Sequence, residues 1–346
     1  MTARDPAAGR RRAVAALGAC VVPLGGASVL AALADRSWLG DLFVHFRPQY
    51  AGLALLALLA AGLLRHRVLL LAAALVLVVN LPGAARELLP GRDEPPQPAL
   101  RAATLAVPGR PMASVTVPVT TAAGTQLQLI SANLWFRNAE HGRVVAWLAG
   151  EAADVVFLME VTGEWRRALE VLAPHYPYRH HATGARGRGV MVLSRWPLSD
   201  PVLPDPGRGE GRAMFLTVTR DGAPLRLALM HASWPFGPEL SRARCGDLDV
   251  LADEARAAAG RPLVVLGDLN VTAQSPHFRR LLSDGALRDA GAGRGWQPTW
   301  PVGFPLLGIR IDHALVNAAV RVREYRRGPA IGSDHWPLKV GIEYGI

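Results

Sequence analysis

Three apolar runs fill most of the first 81 residues: Ala13–Ala34, Tyr50–Leu64 and Val68–Leu81. A run of this kind either crosses a bilayer or is buried all round in a large core, because it has no polar face to turn to water. The first run follows Arg4, Arg10, Arg11 and Arg12, as a signal peptide would, but it is long for the apolar core of one and two further runs follow it. The second and third runs fall short of the roughly 20 residues that span a bilayer comfortably, so each is expected to tilt little or to borrow flanking residues. A buried helical hairpin in a soluble protein is the competing reading, and the lack of any amphipathic period in the runs disfavours it. Half of the 346 residues are hydrophobic and the mean hydropathy is +0.18, in keeping with membrane segments. Trp38, Phe43, Phe46 and Tyr50, between the first two runs, suit an interfacial aromatic belt.

The arginines set the expected orientation. The N-terminal cluster and Arg65 with Arg67 belong on the cytoplasmic side if the first two helices pair. Everything after the third helix is then extracytoplasmic. The chain divides into a transmembrane region at 1–82 (helices at 13–34, 50–64 and 68–81), a Pro-rich linker and lead-in at 83–124, and a folded domain at 125–346. The formal charge of +10 would attract nucleic acid or anionic headgroups, yet Lys339 is the sole lysine, and so complete an arginine bias can reflect coding composition. Cys20 and Cys245 lie far apart in unlike contexts, which excludes a disulfide framework or a cysteine-based metal site.

Beyond the linker, short β-like runs alternate with helix-like ones. Strands are expected at Val115–Val119, Leu127–Ala132, Val155–Leu158, Val190–Leu193, Met214–Val218, Leu225–Met230, Leu263–Leu266, Ile311–Val316 and Leu338–Ile342. Helices are expected at 139–150 after Asn138, at 163–173 after Thr162, and at 238–259. Such alternation implies sheets covered by helices. The polar residues are concentrated at strand ends. In VVLGDLN, residues 264–270, Gly267 frees the backbone where a buried strand stops, leaving Asp268 and Asn270 two apart. Asn133, Met159-Glu160, His231, Asp312-His313 and Ser333-Asp334-His335 occupy similar places. Each has a bland alternative, as a capped turn, a helix-start charge or a satisfied core histidine. Their recurrence in order implies a site along one sheet edge. A carboxylate beside a carboxamide there suits a hard divalent cation and a phosphate oxygen.

Residues 126–342 resemble the endonuclease/exonuclease/phosphatase superfamily. The likeness rests on SANLW (131–135), DVVFLME (154–160), GVMVLSRWPL (189–198), the His231 strand end, GDLN (267–270), RIDHALV (310–316) and GSDHWPL (332–338). The leading apolar segments, with QPTWP (297–301), further resemble a bacterial membrane-anchored subgroup. The resemblance implies a four-layered αββα sandwich of two packed mixed sheets. It implies Glu160 as principal metal ligand, with Asn133 beside it and Asp334 as a second carboxylate. Asp268 would orient or deprotonate the attacking water, and Asn270 would donate to a phosphate oxygen. His335 would contact the scissile phosphate with its ring held by Asp312, and His231 would be a phosphate ligand or leaving-group acid. The cofactor implied is Mg²⁺, with Mn²⁺ as substitute. An acidic residue common in nuclease members is replaced by Trp135, which leaves a second metal without support from that strand, and Met159 stands where Gln is usual. His313 should point away by strand alternation, and Ser333 reads as a turn residue rather than a nucleophile.

The activity expected is divalent-metal-dependent phosphoester hydrolysis, with a phosphodiester of nucleic acid as first substrate and a lipid-linked phosphate or pyrophosphate as second. A non-catalytic membrane-bound binding module is the rival from another class. Substrate choice would lie in loops 231–239 and 293–305, where Trp234, Trp296 and Trp300 can stack on a ligand or serve as buried anchors. Arg186, Arg188 and Arg212 would contact phosphate or be ordinary solvated charge. No obligate protein partner is expected; the bilayer is.

Overall fold

The computed structural model describes residues 6–88, 124–184, 187–204, 212–304 and 306–345. The expected strand Val115–Val119, most of the linker, and Arg186 lie outside them. Four helices come first: α1 Pro6–Ala32, α2 Trp38–Val44, α3 Arg47–Leu63 and α4 Arg67–Leu88. Two stretches, Ala7–Ala32 and Arg67–Ala85, are long and apolar enough to cross a membrane, and α2 with α3, bent by 61° at their junction, make a third if taken as one broken span.

This region departs from the sequence reading in three places. The segment 38–44 is not a loop: Ser37 accepts a hydrogen bond from the Gly40 amide and starts α2. Its aromatic residues are not all free to form a belt, since Phe43 and Tyr50 pack on Ala31, Ala34 and Val44. The third helix does not stop at Leu81 but runs through Pro82 to Leu88, and Gly83 and Glu87 of this extension bond to the folded domain. The linker thus begins later than residue 83.

The remaining strands are β1 Thr125–Asn133, β2 Val155–Val161, β3 Tyr178–Ala182, β4 Gly189–Ser194, β5 Leu198–Val202, β6 Arg212–Arg220, β7 Ala223–His231, β8 Leu263–Asp268, β9 Arg288–Asp289, β10 Asp312–Val316, β11 Val320–Arg327 and β12 Leu338–Tyr344. They form two six-stranded mixed sheets, ordered β11-β12-β1-β2-β4-β3 and β5-β6-β7-β8-β10-β9. Inward faces of both, including Leu129, Phe157, Val192, Leu216, Leu227 and Leu266, interlock in one fully apolar layer. Helices α5 His141–Gly150 and α6 Gly163–Leu169 cover the outside of the first sheet, and α7 Pro238–Ala257 and α8 Pro276–Asp284 the outside of the second. This is the four-layered αββα sandwich the resemblance implied. Thr162 caps α6 as expected, accepting from the Trp165 amide, and the helix then tightens to a 3₁₀ turn at Glu170–Leu172. Asn138 does not cap α5 directly; its carboxamide accepts from the Glu140 amide and donates to Ile331 O, tying the helix start to the loop before β12.

Candidate active site

The parallel central strands β1 and β2 end together, and β8 ends opposite them in the second sheet. Leu134 N donates to Met159 O (3.1 Å), and the chain then turns at Trp135, whose φ is 56°. Glu160 falls on a bulge in the β2–β4 pairing with φ 58°, a conformation unfavourable for a residue with a Cβ. The bulge turns its carboxylate toward β1, where Oε1 accepts from Asn133 Nδ2 (3.3 Å) and Oε2 from the Phe136 amide (2.9 Å). Asn133 Nδ2 also reaches Asp268 Oδ2 at 3.3 Å, linking the two sheets. Gly267 makes the β7–β8 approach possible: with φ 145°, a Cβ there would stand 1.8 Å from Met230 O. Asn270, φ 49°, donates its amide to Asp268 Oδ1 (2.9 Å) and its carboxamide to Ala232 O (2.9 Å), so one carboxamide hydrogen remains for a ligand. Strain at Trp135, Glu160 and Asn270 is grouped at these strand ends, as at many functional sites.

Antiparallel pairing sets Asp312 beside Asp268, while parallel pairing sets His231 on the other side of it. His335 Nδ1 lies 2.9 Å from Asp312 Oδ2, and its Nε2 is 3.8 Å from Asp268 Oδ2. Ser333 fixes that loop by donating to Asn133 O (2.7 Å) and accepting from the His335 amide (3.0 Å), a turn role as read from the sequence. His231 Nε2 sits 3.9 Å from Asp268 Oδ2 and 4.0 Å from Glu160 Oε1. Asn133, Glu160, His231, Asp268, Asp312 and His335 are therefore gathered in one place, with Asn270 at its edge. Asp334 joins through its backbone neighbour His335; its Oδ2 accepts from Trp300 Nε1 (3.2 Å) and its Oδ1 is buried without a hydrogen-bond partner.

Charge is unevenly distributed among these groups. Burial raises the pKa of Asp268, and the Asp312 carboxylate adds to it, bringing Asp268 to about 7. Burial works against a charged His335, but Asp312 and Asp268 outweigh it and raise the imidazole to about 10. Asp312 is lowered: burial opposes ionisation, and the His335 imidazolium overcomes it. Burial lowers His231 against the pull of Glu160, so its ring is neutral at pH 7. Asp334 is raised by burial, with His335 opposing.

Two groups of side chains could receive a cation. Ligand atoms of Asp268, Asp312 and His335 all lie within 4.8 Å of one another. His335 would have to give up its proton to serve as a ligand there. Glu160 and Asp334 offer carboxylate oxygens suited to a hard divalent ion, Asp334 with an unpartnered buried Oδ1, whereas Asn133 turns its nitrogen to Glu160 and Asp268 and its Oδ1 accepts from the Trp135 amide (3.0 Å).

Among the loop and arginine side chains expected to contact substrate, Trp300 donates to Asp334 Oδ2, Trp234 is half exposed and stacked edge-on against Phe236, and Arg188 lies over the Phe136 ring at 4.7 Å. His313 points away, bonded to Val271 O (2.8 Å) and Arg310 (3.1 Å). Four supporting residues were not singled out from sequence. Thr299 accepts from both the Ile311 and Asp312 amides (3.1 Å each), although the QPTWP stretch that contains it had been noted. Arg310, bound to Asp289 through two bonds of 2.9 and 2.7 Å, precedes the Asp312 motif by two residues. Arg244 donates to Asn270 O (3.0 Å) from a helix whose sequence reads as ordinary surface.

The sequence model of the Endonuclease/Exonuclease/phosphatase family matches residues 130–335, which include every residue of the cluster. The chain belongs to this family. Its domain is similar in fold to an endonuclease/exonuclease/phosphatase from Beutenbergia cavernae, at 22% identity and a TM-score of 0.54 over 64% of this chain and 72% of that one. An endonuclease/exonuclease/phosphatase from Bacteroides vulgatus aligns at 16% identity and 0.53, covering 64% and 99%. D. rerio TDP2, in a complex with single-strand DNA product, aligns at 17% identity and 0.52, covering 63% and 99%. No curated protein matches the chain. The family's members include phosphoester hydrolases, and the coarse class of chemistry follows from membership.

Proposed function

We propose that this family member is a multi-pass membrane-anchored, divalent-metal-dependent phosphoester hydrolase, its site held on the extracytoplasmic side, and most simply a phosphodiesterase. The observation that carries the reading is the line Asp312–His335–Asp268 facing the strained Glu160 across Asn133. A divalent cation, Mg²⁺ or Mn²⁺, would be held by Glu160, Asn133 and Asp334, and when bound would supply positive charge against the phosphate oxygens. Asp268, ionising near neutrality, accepts the proton of an attacking water and aims its oxygen. The His335 imidazolium, its tautomer set by Asp312, stabilises charge building on the phosphoryl oxygens. Asn270 donates its spare carboxamide hydrogen to another of those oxygens. His231, its imidazole pKa lowered by burial, would be a phosphate ligand or the acid for the leaving group.

The orientation rests on Arg10, which bonds Leu64 O beside Arg65 and Arg67, so these basic groups share one end of the bundle, opposite the end that meets the folded domain. A periplasmic-type reporter fused after Ile346 is expected to be active; activity of a cytoplasmic reporter there would reverse the topology. A second substrate reading, a lipid-linked phosphate, is favoured by the direct bonding of the membrane helices to the 272–275 segment next to Asn270: His45 to Thr272 (3.0 Å) and Gln274 to Gly83 O (3.1 Å). The rival binding-module reading is disfavoured by the complete residue set. The deciding experiment compares DNA, RNA and lipid phosphates at matched Mg²⁺ using detergent-solubilised full-length protein. Cleavage of DNA with no phosphate released from polyprenyl or phospholipid substrates would remove the lipid reading, and cleavage of none would remove the enzyme reading.

A further inference from the structure

Trp300 and Ile309 form an isolated antiparallel bridge, with hydrogen bonds of 3.0 Å from Trp300 N to Ile309 O and 2.7 Å from Ile309 N to Trp300 O. They close residues 301–308 into a hairpin loop. Its tip turns back on itself through a bond from Leu307 N to Phe304 O (3.0 Å). Phe304, Leu306 and Leu307 are 64%, 86% and 57% exposed there. A soluble surface seldom presents three large apolar side chains so close together unless something covers them.

Two attachments define where the tip lies. At its start, Val302 N donates to Asp334 O (2.8 Å) and Trp300 holds the Asp334 side chain, so the hairpin rises from the active site. At its end, Gly308 O accepts from Gln49 Nε2 (2.9 Å), and Gln49 lies in the first turn of α3. Four steps of chain separate Phe304 from Gly308, about 13 Å at full extension. The tip is thus confined to the neighbourhood of the helix end. Beyond that turn α3 exposes Leu53, Leu55, Leu56, Leu59 and Leu63, an outward face suited to lipid and not to water. Gly83 of α4 lies beside Arg47, placing the adjacent helix end at the same level.

We propose that the tip between Trp300 and Ile309 inserts into a membrane: Phe304, Leu306 and Leu307 sit in the interfacial layer of the bilayer that holds α3 and α4, and keep the mouth of the site against that surface. The occupant is the bilayer because the tip adjoins the boundary of helices already apolar all round. An amphiphile whose phosphoester stands at headgroup level could then reach Asp334 and His335 while its tails stay in the membrane. This last step rests on the phosphoesterase reading; the insertion itself does not.

The test uses full-length protein carrying Cys20→Ser and Cys245→Ala, with Leu306→Cys labelled by an environment-sensitive fluorophore and reconstituted in phosphatidylethanolamine/phosphatidylglycerol vesicles. Val171→Cys, on the 3₁₀ turn outside the first sheet, serves as the exposed control. Lipids brominated near the headgroup end of the acyl chain are expected to quench the 306 label and leave the 171 label unaffected. Equal quenching at the two positions would overturn insertion, whatever the enzyme hydrolyses. A second arm replaces Phe304, Leu306 and Leu307 together with Ser. Hydrolysis of soluble bis(p-nitrophenyl) phosphate is expected to be unchanged, while hydrolysis of a vesicle-borne lipid phosphoester falls about tenfold, as loss of several interfacial anchors predicts. Unchanged hydrolysis of both would overturn the role of the hairpin in presenting the site. Quenching at 306 without hydrolysis of any phosphoester would support insertion and defeat the phosphoesterase reading alone.

Discussion

Two buried charge clusters meet the segment from Asp268 to Ser275, and they are built in opposite ways. On the side of the N-terminal helices, Asp41 of α2 is fully buried against Arg244 and also accepts from Ser275 (2.7 Å), and Arg310 is gripped by Asp289 with Glu87 nearby at 3.8 Å. There each arginine faces a carboxylate at hydrogen-bonding or near-bonding range. On the strand-end side, Asp268, Asp312 and Asp334 act on the single imidazolium of His335 with Glu160 across Asn133, Asp268 is held near pKa 7, and Asp334 keeps an unpartnered oxygen. A cluster with matched charges holds parts together; one with surplus negative charge is ready to receive a cation and move a proton. The first cluster therefore fixes the second to the N-terminal helices.

That contrast can be broken most directly by removing charge from each side. Glu160→Gln and His335→Ala should each lower kcat by about 1000-fold, because both remove contacts that strengthen in the transition state, and Glu160→Gln should leave thermal stability little changed. Asp41→Ala should do the reverse. It leaves Arg244 as an unpaired buried cation, costing about 3–5 kcal/mol by denaturant unfolding, with a smaller effect on turnover in the fraction that stays folded. If Asp41→Ala left stability untouched but abolished turnover, the division between the clusters would be wrong.

Acidity separates the clusters further. Turnover should rise with pH as Asp268 loses its proton near 7, hold level, and fall as His335 loses its proton near 10. A bound cation beside Asp268 would move the lower limb to more acidic pH. In His335→Ala the upper limb should vanish, which a pH–rate series on the residual activity would check. The smallest effect is expected from Trp300→Phe. It frees the second oxygen of Asp334, and should weaken activation by Mg²⁺ severalfold, read as a higher Mg²⁺ concentration at half-maximal rate, with kcat at saturating Mg²⁺ nearly retained.

The sequence disclosed the strand-end cluster far better than the packing of the N-terminal helices on the domain. A buried β-strand ending in a small polar cluster is a local pattern, so Asn133, Glu160, His231, Asp268 and Asp312 could each be found from their own few neighbours. The central strands were legible because both their faces are buried and they read as continuous apolar runs. Edge strands were not: β3 is YRHHA, β5 carries Pro201, and β11 alternates arginine with apolar residues, so each resembles a loop until paired. The short helix α8 was overlooked although Ser275-Pro276 is a good start signal. Asp41 and Arg244 could not be found at all, since nothing local distinguishes a charge that will be buried against a partner 203 residues away, and Arg310 stood in RIDHALV with nothing to show that it would pair with Asp289. The bulge at Glu160 was equally hidden, because it is set by pairing with β4 and not by the residue itself.

The central claim is that these strand ends form a hydrolytic site for phosphoesters. The most direct measurement is phosphoester cleavage by purified full-length protein with Mg²⁺, set against Glu160→Gln of equal stability on the same panel of DNA, RNA and lipid phosphates. Metal-dependent cleavage of at least one substrate that disappears in the variant is the predicted result. Cleavage that persists undiminished in Glu160→Gln, or none by the native protein on any of them, would contradict it.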